Sequence, residues 1–175
     1  MNKKYNWQMV AVLTLIPLIG VFGTATYAYF NGVVWQELVL LISGWWISGM
    51  GITFGYHRLF AHRSFKAHPV VQFIAMIAAS AALQNTILKW CSDHRTHHNN
   101  LDTEEDPYSI TKGFFHAHIG WVIEDKPVEI KGVHDLEKNP IVMFQHKYYW
   151  PIGIGLAFVL PLIIVKGLKI RILLV

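Results

Sequence analysis

"MVAVLTLIPLIGVFGTATYAYF", residues 9–30, carries no charge anywhere along its length. A helix that crosses the hydrocarbon core of a bilayer needs about 20 mostly apolar residues, and this stretch supplies them. "VVWQELVLLISGWWISGMGITF", residues 33–54, meets the same requirement with one acid, Glu37, near its start. The Asn31-Gly32 pair between them reads as a tight turn, so the expected unit is a helical membrane hairpin. Lys3-Lys4 looks like the start of a secretory signal. The apolar run is longer than a signal core, however, and it leads straight into a second span. A further span is expected at "YYWPIGIGLAFVLPLIIV", residues 148–165, with aromatic side chains at its entry. The hydrophobic fraction of 53% and the seven tryptophans agree with an all-α, multi-pass integral membrane protein.

Basic residues set the orientation. Lys3 and Lys4 precede the first span, and Arg58, Arg63 and Lys66 follow the second. Two crossings return the chain to its starting side, so the positive-inside rule places both clusters in the cytoplasm, at a bacterial inner membrane. "PVVQFIAMIAASAALQNTIL", residues 69–88, is also uncharged. Its crossing would put the basic cluster at Lys89 and Arg95 outside, and its small and polar residues favour packing against protein. We therefore expect a membrane-associated helix that does not cross. Residues 89–147 read as a cytoplasmic helical region, and residues 1–175 as one domain, with no internal repeat.

Several chemistries are excluded. Cys91 is the only cysteine, so no intrachain disulfide, CxxC pair or thiolate zinc site can form. The net charge of +4 is accounted for by basic residues flanking the spans and calls for no nucleic acid. There is no GxGxxG, P-loop or serine elbow, and "HRTHH" (94–98) lacks the glutamate of the HExxH zinc proteases.

The histidines carry the chemistry. On a helix, His94, His97 and His98 stand at i, i+3 and i+4, and so point one way. His57 and His62 are five apart, about 140° of rotation on a regular α-helix. They reach a common centre only near a helix end, or serve two neighbouring metals. Five imidazoles on one predicted face exceed what a single tetrahedral zinc needs, and neutral imidazole suits iron and copper. Metal-bound imidazoles usually donate their other N–H to a carboxylate or carbonyl; Asp93, Asp102, Glu104 and Asp106 are placed to accept it. His68, His134 and His146 read as interfacial polar residues. His116 and His118 in "FFHAHIGW" read as a two-ligand pair on a strand or, preferably, as structural or supporting residues.

"GITFGYHRLFAHRSFKA" (51–67), "ALQNTILKWCSDHRTHH" (82–98), "DPYSITKGFFHAHIGW" (106–121) and "VMFQHKYYWP" (142–151) resemble the membrane fatty-acid desaturases, most of all the acyl-CoA delta-9 (stearoyl-CoA) type. The resemblance runs in order from about residue 8 to residue 165. It implies a four-span helical fold with two iron ions at the cytoplasmic membrane face. There O2 and two electrons remove two hydrogens from a saturated acyl chain, leaving a cis double bond. The electrons would come from a donor such as cytochrome b5 or ferredoxin. Position by position, it implies His57, His62, His94, His97 and His98 as iron ligands. Gln84 and Trp90 match the kink of the acyl tunnel, and Asn85, Asp93 and Lys126 match contacts to the carrier's pantetheine and phosphates. Asp106 and His118 would support ligands from behind. With the tunnel between the helices of 33–54 and 69–88, Gly49 would help set its depth and Trp45 would lie near its far end. The chemistry fits, because a mid-chain methylene is too weak an acid for any side-chain base and Zn2+ is redox-inert.

The sequence departs from that family in three ways. The third box, HxxHH, and a later Asn/His element are not found, so only five of nine expected histidine ligands are present. Lys166, Lys169 and Arg171 would lie on the non-cytoplasmic side, against the positive-inside rule. Ser92 stands where arginine is frequent, and Asp125-Lys126 where a basic pair is frequent, which leaves the carrier open between CoA, acyl-carrier protein and acyl lipid. The expectation is an incomplete, N-terminal and inactive desaturase segment. The alternatives are a histidine-box hydroxylase and a non-enzymatic membrane metal-binding remnant.

Overall fold

The computed structural model describes residues 4–167; Lys3 and the tail bearing Lys169 and Arg171 lie outside them. The described residues contain helices and no strand, so the fold is all-α. Three helices are long and apolar enough to cross a membrane: Trp7–Asn31, Trp35–Ala61 and Pro140–Gly167. Their large apolar side chains are largely exposed, Trp7, Ile19, Phe22, Leu41, Trp45 and Ile163 among them. Side chains of that kind in that density are stable only in lipid or against protein, and this is a membrane protein.

The chain divides into two compact units. One, among the described residues, comprises 4–34 and 97–128. Its long helix α1 (Trp7–Asn31) begins where Asn6 Oδ1 accepts the Met9 N–H at 3.0 Å, one of the donors a helix start leaves without a partner. It ends at Gly32, whose φ of 73° needs no Cβ and whose N–H returns to Ala28 O. The segment before α1 is tied down by a single bridge, Tyr5 to Glu124, flanked by Asn6 N–H to Ile123 O at 2.9 Å and Asp125 N–H to Lys4 O at 3.0 Å.

The other unit, among the described residues, comprises 35–96 and 129–167 and holds the core. Helix α2 (Trp35–Met50) continues without a break into a π-helical stretch, Gly51–Ala61. Gly51 and Gly55 face helix α3 (Pro69–Ser80). A Cβ at Gly51 would run into the backbone of Ala78 and Ala79, and one at Gly55 would come within 3.1 Å of Ala75 Cβ. Tyr56, Met76, Ala79, Ile87 and Val142 lie fully buried at this junction. Gly51→Ala is therefore expected to lower stability by about 1–3 kcal/mol, the usual cost of forcing extra volume into a packed core. A thermal melt in detergent measures it, with Gly49→Ala as the silent control because a Cβ there meets nothing within 4 Å.

Helix α3 is shorter than the uncharged run 69–88. Its 12 residues end at Ser80, a rise of about 18 Å, and a bilayer core is about 30 Å thick. The chain then turns through Leu83 (φ 53°) and Asn85 (φ 79°), left-handed positions that no helix continues through. Helix α4 (Ile87–Asn99) starts beyond them. Its first N–H groups find side-chain acceptors, Ile87 N–H on Gln145 Oε1 at 3.0 Å and Lys89 N–H on Thr86 Oγ1 at 3.2 Å. Short helices α5 (Trp121–Ile123) and α6 (His134–Glu137) follow.

The last long helix begins eight residues before the apolar run at 148. Asn139 Oδ1 accepts the Ile141 N–H at 3.0 Å and Pro140 takes the first helical position, where its missing N–H costs nothing. Helix α7 (Pro140–Ile154) kinks at Tyr148 (φ −111°, ψ 23°). Pro151 is three residues on, removing a backbone donor and crowding the preceding turn. A π-helical turn, Gly155–Val159, joins α7 to α8 (Leu160–Gly167).

Candidate metal centre

The five-residue spacing of His57 and His62 is resolved by the π-helical backbone. A π-helix closes i→i+5 hydrogen bonds, and the His62 N–H bonds to His57 O at 2.9 Å. Residues that a regular α-helix would splay by about 140° are thereby stacked one turn apart. Their ring Nε2 atoms come to 3.1 Å, and His62 Nε2 lies 3.0 Å from His94 Nε2 on α4. The ligand nitrogens of His57, His62 and His94 all lie within 4.8 Å of one another, and His98 stands one turn beyond His94 along the same helix.

That arrangement fits a metal ion. One proton can bridge a facing pair of ring nitrogens, but nitrogens converging from three rings present lone pairs to the same small space. Two nitrogens each about 2.1 Å from an ion and at right angles around it would be about 3.0 Å apart. The donor set is all imidazole, which suits iron, copper or zinc in preference to magnesium or calcium. Trp90 stacks on His94 with ring centroids 4.8 Å apart and meets His57 edge-on at 6.2 Å. It packs the two ring planes from one side.

His97 is not in that set. Its Nδ1 is 2.9 Å from Asp106 Oδ1, and its ring lies over Tyr108 at 4.3 Å. Asp106 is fully buried. Burial opposes its charge, but the bonds from His97 and from the Asp102 and Tyr108 N–H groups outweigh that and hold its carboxyl below the usual range. A buried carboxylate on Nδ1 fixes the tautomer and leaves Nε2 as the nitrogen able to bind a metal, the arrangement metal-ligating histidines commonly use.

The remaining sequence candidates fall elsewhere. Gln84 and Asn85 are exposed in the turn between α3 and α4. Asp93 pairs with Lys89, and burial raises its carboxyl above the ordinary value despite that partner. Lys126 is exposed and pairs with Glu124. Gly49 and Trp45 are exposed on α2. Asp102, in a left-handed turn (φ 61°), donates its N–H to Asp106, and exposed Glu104 lies near Lys112. His116 and His118 lie in a π-helical turn, His116–Gly120, and not on a strand. His116 is buried between Glu124 and the Pro107 carbonyl, each at 3.1 Å, and His118 stacks on Phe114. His68 caps α3 through Val70 N–H, His134 pairs with Glu137, and His146 meets Thr86.

Two features escaped the sequence reading. Arg95 spans from α4 to the end of the π-helix, and Gln145 sits fully buried among three helices. Neither residue belongs to a pattern that marks it. Cys91, beside the site on α4, is fully buried, and burial pushes its thiol up to about 12. It is expected to resist iodoacetamide at pH 8 in the folded protein and to react fully after denaturation, a contrast that mass spectrometry reads directly.

No protein-family model matches the chain, but curated relatives do. The chain is 36% identical to a probable acyl-CoA desaturase of Schizosaccharomyces pombe over 162 residues, 91% of this chain and 33% of that protein. It is 37% identical to a delta(9)-fatty-acid desaturase of Caenorhabditis elegans over 164 residues, 90% of this chain and 48% of that protein. It is 33% identical to the stearoyl-CoA desaturase of Homo sapiens over 167 residues, 92% of this chain and 46% of that protein. With its apolar helices and its histidine cluster, the chain is thus similar to the acyl-CoA and delta-9 desaturases over about nine-tenths of its own length, while spanning between a third and a half of these relatives' lengths.

Proposed function

We propose that this chain is the part of an oxygen-dependent acyl-chain desaturase that holds the histidine site and meets the substrate. The observation that carries the reading is the set of imidazoles at His57, His62 and His94, with Nε2 separations of 3.0–3.1 Å between His62 and its two partners. His57, His62, His94 and His98 would hold iron, with His97 a further ligand through Nε2 for a second ion. Bound iron together with O2 supplies the oxidising power that breaking an unactivated C–H bond requires. The protein's part is to hold the rings in place, and the Asp106–His97 bond and the Trp90–His94 stack do that.

The substrate is read as a saturated fatty acyl thioester, acyl-CoA by analogy with the relatives' names, with a cis double bond of the delta-9 type as product. Gln84, Asn85, Trp90, Asp93 and Lys126 are proposed contacts to the acyl chain and its carrier, Gly49 and Trp45 line the tail's path, and His118 supports the site from behind. The protein is read as multi-pass, with the site on the cytoplasmic face, where an electron donor such as cytochrome b5 or a ferredoxin can reach it.

The test is a chimera. This chain replaces the matching segment of the Caenorhabditis elegans delta(9) desaturase, and the product is expressed in a yeast auxotrophic for monounsaturated fatty acids. Growth without supplement, lost on His62→Ala, supports the reading. A chimera that is stably expressed yet never rescues growth counts against it. Expressed as these 175 residues alone, the polypeptide is expected to leave the host's fatty-acid profile unchanged, since five histidines serve where the family uses nine. A rise in cis-monounsaturated chains that disappears with His97→Ala would overturn that expectation.

A further inference from the structure

We propose that Arg95 and Asp135 form a clamp that sets the spacing between the two histidine-bearing helices. This rests on the reading of the histidine cluster as a metal site. A guanidinium has five N–H donors in a fixed fork, and here each has an acceptor. Arg95 Nε donates to Ala61 O at 3.0 Å. Nη2 donates to Phe60 O at 2.8 Å and Asp135 Oδ2 at 3.1 Å. Nη1 donates to Gly132 O and Asp135 Oδ1, both at 2.7 Å.

The position of these bonds gives them their meaning. Phe60 and Ala61 end the π-helix, where carbonyls no longer have a following turn to bond, and His62 is the next residue. Arg95 itself follows His94. One planar group thus ties the backbone beside His62 to the helix turn that carries His94, across the pair whose ring nitrogens stand 3.0 Å apart. Asp135 holds the far edge of the guanidinium and is itself held by Arg63 at 2.8 Å. The Arg95 side chain is only 13% exposed, so solvent does not replace these partners freely. Lysine would keep the charge but offers three donors from a single point, and it cannot span two helix-end carbonyls, a loop carbonyl and a carboxylate. Arg95 and Asp135 are positioning residues, acting on the metal through the histidines.

The experiment uses the purified 175-residue chain in detergent micelles, titrated with Co2+ as the probe, with visible d–d absorption reporting the coordination and a thermal melt reporting the fold. Wild-type chain is expected to bind Co2+ in a way that His94→Ala weakens more than a hundredfold. Arg95→Lys is expected to bind about tenfold or more weakly with an altered d–d band, the range seen when a ligand's supporting partner is removed. Asp135→Asn, which leaves the carbonyl bonds in place, is expected to fall between the two and decides the matter if Arg95→Lys does not fold. Variants that bind Co2+ with wild-type affinity and spectrum overturn the clamp while leaving the metal site standing. A wild-type chain with no His94-dependent binding overturns the metal site and the clamp together.

Discussion

Replacing His94 with alanine is expected to weaken metal binding by this chain more than a hundredfold. Loss of a group that merely supports a ligand costs about 10–100-fold, and His94 is itself a ligand candidate. Its Nε2 lies 3.0 Å from that of His62, and its ring centroid is 4.7 Å from that of His57. It is also the ring that Trp90 covers, so alanine removes a donor and unpacks the wall behind it. His134→Ala is the control, since that histidine pairs with Glu137 and is exposed. Isothermal titration with Co2+ and metal analysis of protein purified from iron-supplemented cells give independent readings. A His94→Ala chain that retains wild-type affinity in both would show that the rings cluster for packing alone.

The helix that carries the second histidine box was legible in the sequence, but the turn of His97 toward Asp106 was not. The i, i+3, i+4 spacing of His94, His97 and His98 is a helical signature, and α4 is a helix there. The apolar runs gave the three long helices to within a few residues at most ends. What the sequence hid was backbone geometry. Read as an α-helix, 51–61 places His57 and His62 on different sides; the π-helical form stacks them. Periodicity cannot reveal it, because one added residue per turn over so short a stretch leaves the apolar pattern almost unchanged. The true end of α3 was hidden for a similar reason. Residues 81–88 are as uncharged as those before them, and the stop comes from left-handed backbone at Leu83 and Asn85 and from acceptors on other elements.

Gln145 is such an acceptor, and its loss is expected to be the most damaging single change to stability outside the histidine cluster. It is fully buried. Its Oε1 accepts the first N–H of α4 at Ile87, while its Nε2 donates to the Tyr56 hydroxyl at 2.7 Å and to Ser80 Oγ at 3.3 Å. One side chain on α7 thus joins the π-helix, the end of α3 and the start of α4. Gln145→Leu keeps the volume and removes every bond. Tyr56 and Ser80 would still donate to the Asn85 and Met76 carbonyls, so each loses one partner of two. The Ile87 N–H would be left buried with none, at about 1–3 kcal/mol. With about 1 kcal/mol more for the lost bonds, the sum is on the order of 3 kcal/mol. Tyr56→Phe removes only part of this network and is expected to cost about 1–2 kcal/mol. Thermal unfolding in detergent, followed by tryptophan fluorescence, should rank wild type above Tyr56→Phe and Tyr56→Phe above Gln145→Leu. Equal melting of all three would mean that packing, not the buried amide, sets the start of the helix that carries His94.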